Sequence, residues 1–243
     1  MRFWQARIQN RGSVSVYFCY YLRAEEVSVE SQPQLNSKGL MPLFTVGHSS
    51  LDFEQFIELL RKGGIELLVD VRSRPQSARF PQFSQPGFEQ LLGAQGIFYL
   101  FLGEELGGRP DDCDAYRSDG LVDYPVRRKS YAFRAGLERV LKELECHTAA
   151  LMCAEEDPLE CHRFLMICPE LVKLGIYPLH IRKDARIETQ EAIETHLLES
   201  TGFGAVAMNT LFPEARTEAL EKAYALQAEK IAFRIDPRAV DHW

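Results

Sequence analysis

Three amphipathic segments of the chain end in Gly-Ile and run directly into an apolar stretch. The junctions are Gly64-Ile65 before ELLVDV, Gly96-Ile97 before FYLFL and Gly175-Ile176 before YPLHI. Glycine readily takes the left-handed conformation that ends many helices, and the apolar residue after it packs back on the last helical turn. The pattern therefore predicts three helices, each of which leads into a buried strand.

Two further apolar runs, 43–47 and 149–154, bring the predicted strands to five. The spacing between successive strands leaves room for helices, which we predict at 52–62, 88–95, 131–145 and 161–174. Near-continuous apolar strands that alternate with helices are typical of a parallel sheet covered on both faces. We therefore expect an α/β fold with a doubly wound, Rossmann-like and mostly parallel sheet of about five strands, with helices on both faces.

The same pattern divides the chain into three parts. Residues 1–40 end in a polar linker and are predicted to be an N-terminal extension of doubtful structure, or to precede a true start at Met41. Residues 41–184 are expected to form the α/β domain. Residues 185–243 have only helical periodicity, which predicts a C-terminal helical extension packed on that domain.

Charge and composition exclude several classes of protein. The net charge of −7 provides no positive field over the whole molecule, so nucleic-acid binding would require a local basic patch. The early apolar run 14–22 is too short to span a membrane. Six cysteines are too few for a disulfide framework in a chain of 243 residues, which indicates free thiols in a reducing compartment. We expect a cytoplasmic protein without membrane contact.

Polar residues follow four of the predicted strands at the edge where folds of this class bind ligands. There the strand ends meet, and helix N-termini present free N–H groups. The polar strand ends are Gly47 to Ser49, Asp70 to Arg74, Glu104-Glu105 and Cys153 to Glu155. We expect them to line one crevice; the alternative is that each strand simply ends in a polar turn.

His48 and Asp70 are candidate catalytic residues at this edge. An imidazole there can act as a general acid or base or donate to a phosphate, and the alternative is a satisfied structural histidine. Asp70 lies in an apolar run two positions before Arg72, so both side chains share one face of the strand. A buried carboxylate needs a partner, which makes an Asp70–Arg72 ion pair the alternative to a catalytic role.

The loop after the second strand combines arginines with aromatic residues and contains no acid between Val71 and Phe88. Its members are Arg72, Arg74, Arg79, Phe80, Phe83 and Phe88. Guanidinium groups bind phosphate through two parallel hydrogen bonds, and aromatic rings stack on a base or sugar. This loop is therefore predicted to contact a phosphate-bearing ligand.

Cys153 ends the fourth strand, and Cys161, His162 and Arg163 open the following helix. The helix dipole and the neighbouring cations favour a thiolate, which is typical of nucleophilic and redox cysteines. Cys153 and Cys161 are therefore candidate catalytic residues. An arginine in the first turn opposes the helix dipole, so Arg163 is expected to bind an anion.

Two other interpretations of these cysteines stay open. Both thiols and His162, with His48, form a donor set for a transition metal, although the C-x7-C-H spacing differs from the tight C-x2-C pairs of zinc motifs. Alternatively, Cys153 and Cys161 are small core residues. The sequence alone assigns no metal ligand and no cofactor.

Four motifs in combination carry a family resemblance: TVGHSS, LLVDVRSRPQSARFPQF, LGEELGGRP and LMCAEEDPLECHRFL. Through them the chain resembles the DUF488 family of uncharacterised bacterial and archaeal proteins, over about residues 42–236. The resemblance implies a cytoplasmic α/β domain but no established reaction. It implies a site at Gly47, His48, Ser49, Asp70, Arg72, Cys153, Glu155, Cys161, His162 and Arg163.

The leading hypothesis is an enzyme, or an enzyme-like binding protein, for a phosphate-bearing small molecule or nucleotide. Arginines would hold the anion while His48 and a cysteine carry out acid–base or nucleophilic chemistry. The first alternative is a nucleic-acid binding or processing module that uses the loop 72–88. The second is a metal-supported structural or interaction domain without turnover.

Overall fold

Six strands form one sheet in the computed structural model, which describes residues 38–205 and 213–235. In chain order they are β1 Leu43–Gly47, β2 Leu67–Asp70, β3 Phe98–Phe101, β4 Ala149–Cys153, β5 Leu179–Ile181 and β6 Ile187–Thr189. The spatial order is β3-β2-β4-β1-β5-β6, and every neighbouring pair is parallel except β5 and β6. The predicted mostly parallel α/β sheet is confirmed, with one strand more than expected.

Helices connect the strands and cover the sheet. They are α1 Phe53–Lys62, α2 Gly87–Ala94, α3 Gly103–Leu106, α4 Tyr124–Lys129, α5 Tyr131–Glu143, α6 Cys168–Lys173, α7 Gln190–Ser200 and α8 Pro213–Ile231. Gly64, Gly96 and Gly175 have φ angles of 61°, 76° and 73°, as the Gly-Ile junctions predicted. Glycine suits these positions because other residues are strained at positive φ.

The chain crosses the sheet on both faces. After β1 and β2 it runs through α1 and α2, whose Phe56 and Phe88 belong to one core layer with Val46 of β1. After β3 and β4 it runs through α5 and α6, whose Phe133 and Leu171 belong to a second layer. These two layers bury both faces of the central strands, which is the requirement of a doubly wound sheet.

The strand β4 lies between β2 and β1, and its connection leaves on the opposite face of the sheet from theirs. Such a reversal opens a crevice at the carboxyl ends of the strands, because neighbouring loops diverge there. The loops that border it begin at His48, Val71 and Ala154. The topology therefore brings three of the predicted polar strand ends together.

Two predicted elements are wrong. The region after Asp184 is not only helical, because Arg182 N–H donates to Arg186 O at 2.9 Å across a tight turn and starts the antiparallel pair of β5 and β6. The helix predicted at 161–174 is divided into a π-helical segment, Arg163–Ile167, and α6. Pro169 has no N–H for the Leu165 carbonyl four positions before it, which accepts instead from Arg128 Nη2 at 2.6 Å.

The C-terminal helix α8 contacts the α/β domain at several points. Gln227 Nε2 donates to Leu159 O at 3.0 Å, and Gln190 Nε2 donates to the Tyr224 hydroxyl at 3.0 Å. None of the described helices has the length and the apolar composition that a membrane span requires. The division at residue 184 stays a prediction, and the N-terminal extension lies outside the described residues up to position 37.

Candidate functional site

Cys153, Cys161 and His162 come together at the floor of the crevice between the strand-end loops, which we call the cleft. Both sulfur atoms and His162 Nδ1 lie within 4.8 Å of one another. The Cys153 and Cys161 sulfur atoms are 3.6 Å and 3.9 Å from Nδ1. Glu155 also contacts both thiols, because its Oε2 accepts from Cys153 at 2.9 Å and from Cys161 at 3.3 Å. Two thiols therefore lie beside one imidazole at the end of β4, and a carboxylate accepts from both of them.

The His162 ring has a defined orientation because its second nitrogen is engaged. Nε2 lies 2.9 Å from Val71 O, and a carbonyl oxygen can only accept, so Nε2 carries a hydrogen and donates. Gly108 packs against the ring, since a Cβ at that position would lie 2.8 Å from the ring Cγ. The backbone of two other loops therefore holds the imidazole with Nδ1 toward the thiols.

The surroundings of the two thiols shift their pKa values in opposite directions. Burial, together with the hydrogen bond to Cys161, raises the pKa of Cys153 well above its ordinary value. Burial also acts to raise the pKa of Cys161, but the hydrogen bond with Cys153, the Arg163 charge and His162 hold it well below the usual value. Burial opposes protonation of His162, yet Cys161 raises the pKa of this imidazole. The neighbouring Arg163 and His162 therefore favour the charged form of Cys161 more than that of Cys153.

Arg163 is fully buried and holds the loop after β4. Its Nη1 donates to Glu155 O at 2.6 Å and its Nη2 to Glu156 O at 2.8 Å. Its Nε lies 3.5 Å from Thr45 Oγ1 on β1. Because these bonds occupy the guanidinium and the residue does not line the cleft, Arg163 is not placed for the anion contact expected from the sequence.

Asp70 and Arg72 form a buried ion pair. Arg72 donates from Nη2 to Asp70 Oδ2 at 2.6 Å and from Nε to Oδ1 at 2.9 Å, and the Tyr99 hydroxyl donates to Oδ2 at 2.8 Å. Arg72 Nη2 also donates to Phe83 O at 2.9 Å, and its Nη1 lies 3.4 Å from His48 Nε2. Most donors of Arg72 are therefore occupied by protein groups, although the residue borders the cleft.

His48 borders the cleft as a neutral imidazole. Its Nδ1 donates to Ser49 O at 3.0 Å, which leaves the Nε2 lone pair to accept from Arg72. The ring stacks on Phe83 with a centroid distance of 4.4 Å. Burial and the Arg72 charge lower the pKa of His48 to about 4. These contacts also separate His48 from the cysteine cluster, so the four-residue metal set considered from the sequence does not assemble.

Gly47 and Ser49 form the junction between the loops after β1 and β4. A Cβ on Gly47 would lie 1.9 Å from Glu155 O, so only glycine allows this close approach. Ser49 has a φ of 46° and donates from its N–H to Ala154 O at 2.8 Å. Neither residue lines the cleft, so both shape it through the backbone.

Two exposed arginines lie at the mouth of the cleft, which has a volume of about 380 Å³. Arg74 belongs to the loop after β2. Arg109 follows two glycines, and its N–H donates to Ser73 Oγ at 2.8 Å while its guanidinium lies 4.5 Å from the centre of the Phe233 ring. Within the part of the chain that the structure describes, neither arginine forms a salt bridge with an acidic residue.

Two phenylalanines of the predicted ligand-binding loop belong to the core. Phe83 and Phe88 are fully buried, with ring centroids 5.3 Å apart. The expectation that they stack on a base is therefore wrong, because their faces are covered by protein. Arg79 is exposed, lies over the Phe80 ring at 5.4 Å and does not line the cleft.

Sequence reasoning missed several residues of the cleft, among them Arg109, Tyr124 and Phe233. The reason is clearest for Tyr124 and Phe233. Tyr124 is buried in the first turn of α4, and Phe233 is held in place by the Val122 N–H, which donates to its carbonyl oxygen at 3.0 Å. No local pattern marks either residue, because both enter the cleft through contacts between distant segments. Conversely, Glu104 and Glu105, predicted at the same edge, do not line the cleft.

Comparison with known proteins gives one match. The model of the DUF488 family, a domain of unknown function, matches residues 52–167, which confirms the resemblance found in the sequence. The matched range contains the Asp70–Arg72 pair and the whole cysteine–histidine floor. No curated protein and no solved structure matches the chain.

Proposed function

We propose that the chain, whose residues 52–167 match the DUF488 family, binds a phosphate-bearing small molecule or nucleotide in this cleft and acts on it as an enzyme. One observation carries the proposal: Arg74 and Arg109 lie exposed and without acidic partners among the described residues, directly at the mouth of a cleft lined by Cys153 and His162. Cationic side chains near reactive groups bind an anion and orient the rest of the ligand toward those groups.

The size of the cleft supports a small ligand, and the exposed arginines at its mouth support an anionic one. Its volume of about 380 Å³ falls in the usual range for small-molecule sites, roughly 300–1,000 Å³. The chain has a net charge of −7, so an anion must be attracted by local groups. Arg72 contributes at most through the remaining hydrogen of Nη1, which leaves Arg74 and Arg109 as the principal anion contacts.

The residues around the cleft divide into two roles under this proposal. Asp70 orients Arg72, and Arg72 in turn orients the neutral imidazole of His48, so these three position the cleft wall. Cys153 and His162 line the floor and are the groups that a bound ligand reaches. Cys161 does not line the cleft and acts on the ligand through its contacts with these two residues.

Thermal denaturation of the full-length protein tests the proposal. Inorganic phosphate, nucleoside monophosphates to triphosphates and sugar phosphates are compared with the same compounds lacking phosphate. We expect at least one phosphorylated compound to raise the melting temperature more than its unphosphorylated parent. Arg74→Gln and Arg109→Gln should each weaken the binding of that compound at least about tenfold, because each removes a charged phosphate contact.

Arg79→Gln is the matched control, since Arg79 is an exposed arginine of the same loop that does not line the cleft. It should bind the compound as the wild type does. Equal weakening by Arg79→Gln would assign the effect to general surface charge and reject the cleft. Failure of every phosphorylated compound to stabilise the protein would reject the ligand class.

A further inference from the structure

The geometry points to a zinc-binding site at the floor of the cleft, in which Cys153 Sγ, Cys161 Sγ and His162 Nδ1 are the three protein ligands. This inference deepens the proposed function, because it names the chemistry of the floor. It does not depend on the identity of the ligand at Arg74 and Arg109. The two proposals therefore fail in separate experiments.

The distances within the floor fit a tetrahedral ion. With metal–sulfur bonds of about 2.3 Å and metal–nitrogen bonds of about 2.0 Å, tetrahedral coordination separates a sulfur ligand from a nitrogen ligand by about 3.5 Å. The observed distances from Nδ1 to the sulfur atoms of Cys153 and Cys161 are 3.6 Å and 3.9 Å. The two nitrogen–sulfur distances therefore fit a common centre to within a few tenths of an ångström, and the two sulfur atoms lie within 4.8 Å of each other.

The orientation of His162 supports the same conclusion. A metal-binding histidine commonly donates its second ring N–H to a carbonyl or carboxylate, which fixes the tautomer and aims the free nitrogen at the metal. His162 Nε2 donates to Val71 O at 2.9 Å, so the neutral ring presents its Nδ1 lone pair to the two sulfur atoms. Gly108 packs directly against this ring, since a Cβ at that position would lie 2.8 Å from His162 Cγ.

The surrounding charges are balanced by a divalent ion. Two thiolates and the Glu155 carboxylate together bear three negative charges, and a divalent ion reduces this sum to one. Arg163 is a fully buried cation whose charged neighbours are the same three groups, Cys161, Cys153 and Glu155. With the ion present, the buried cluster becomes neutral overall, which lowers the cost of burying its charges.

The donor set selects the type of ion. Two sulfur atoms and one imidazole nitrogen suit a borderline-soft ion such as Zn²⁺ and are poor ligands for Mg²⁺ or Ca²⁺, which prefer oxygen. Three protein ligands leave the fourth position for water or a bound molecule, as in catalytic zinc sites. Because Cys153 and His162 line the cleft, that position is accessible from the side where Arg74 and Arg109 lie.

Cobalt titration of the reduced, chelator-treated full-length protein provides the test. We expect one Co²⁺ per chain, with intense visible d–d bands of a tetrahedral ion and a near-ultraviolet sulfur-to-cobalt charge-transfer band, and we expect Zn²⁺ to displace it. Cys153→Ser and Cys161→Ser should each lower Zn²⁺ affinity at least about tenfold. Cys168→Ala should bind as the wild type does, since Cys168 is buried seven positions from Cys161 and outside the cluster.

X-ray absorption of the zinc-loaded wild type provides a second measurement that needs no variant to fold. Two sulfur neighbours at about 2.3 Å and at least one nitrogen or oxygen neighbour at about 2.0 Å would support the site. A zinc shell containing only nitrogen and oxygen, or a Co²⁺ spectrum without the sulfur charge-transfer band, would overturn it. Loss of binding in Cys168→Ala equal to that in the two serine variants would also overturn the assignment.

Discussion

Arg72 Nη1 lies 3.4 Å from His48 Nε2 and so links the loop after β2 to the loop after β1. The same guanidinium holds the Asp70 carboxylate and donates to Phe83 O. One buried cation therefore ties together three segments of the cleft wall. This arrangement explains why Arg72 has little left to offer a ligand, although its position in the sequence suggested an anion clamp.

We expect Asp70→Asn to destabilise the protein by about 3 kcal/mol, because it leaves the buried Arg72 charge without its partner. Denaturant unfolding measures the change. Asp184→Asn is the matched control, since Asp184 and Arg186 form an ion pair of the same two-residue spacing at the surface. The control should change the unfolding free energy much less. An equal loss in both variants would contradict burial of the Asp70–Arg72 pair as the cause of the large effect.

The free energy of unfolding should fall as the pH drops below 6.5, in part because of His180. This residue is buried between Thr45 Oγ1 at 2.9 Å and Gln190 Oε1 at 3.0 Å, and burial lowers its pKa to about 3. The unfolded chain then binds a proton that the folded chain does not, so stability is complete above pH 6.5 and is lost between pH 6.5 and about 3. At pH 5 the loss from this group is about 2 kcal/mol.

Unfolding curves of His180→Gln between pH 7 and pH 5 test this assignment. The variant should show a shallower dependence on pH than the wild type, and His48, whose pKa is also lowered, should contribute to the dependence that remains. His196→Gln is the control, because His196 is exposed on α7. If His180→Gln retained the full pH dependence, the buried neutral state of His180 would be excluded as its source.

Gly47→Ala should destabilise the protein by about 3 kcal/mol and disturb the cleft, because the new Cβ would lie 1.9 Å from Glu155 O. Neither backbone segment can move without breaking the β1–β4 pairing. Gly93→Ala is the matched control in α2, where the added Cβ meets no atom within 4 Å. That substitution should be neutral or stabilising by up to about 1 kcal/mol, since alanine favours helix. Chemical denaturation distinguishes the two, and equal stability of both variants would refute the close approach.

Alkylation of the cysteines should follow their position in the fold. Cys113 and Cys146 are exposed and should react first, Cys153 should react through the cleft, and Cys168 should react last because the core covers it. Mass spectrometry of peptides after timed iodoacetamide treatment measures each rate. Added Zn²⁺ should protect Cys153 and leave Cys113 unchanged. Equal alkylation rates of Cys168 and Cys153 would contradict the entry of iodoacetamide to Cys153 through the cleft.

Much of the fold was predictable because it depends on local patterns. The Gly-Ile junctions mark helix ends through backbone conformation alone, and the apolar runs mark strands that must be buried on both faces. The strand β6 was not predictable in this way, because three residues at the edge of a sheet are too few to show an alternation of apolar and polar positions. Its existence depends on the turn at Ala185 and on pairing with β5.

The convergence of the strand ends was predictable, but the contacts that each residue makes there were not. Arg72, Cys153 and His162 line one cleft and Asp70 holds Arg72, because the carboxyl ends of parallel strands must meet. Arg163 was expected to bind an anion, yet its donors are satisfied by backbone carbonyls at the end of β4. The sequence does not reveal which acceptors will surround the guanidinium of an arginine after folding.

The order of apolar and polar residues by itself determined the strands, the helices between them and the edge at which the polar strand ends meet, since burial of apolar surface acts on every segment in the same way. Only the tertiary structure decided which thiols face His162 and which arginines remain exposed at the cleft. The reason is that a hydrogen bond requires atoms within about 3 Å, and such proximity between distant segments arises only when the whole chain has packed.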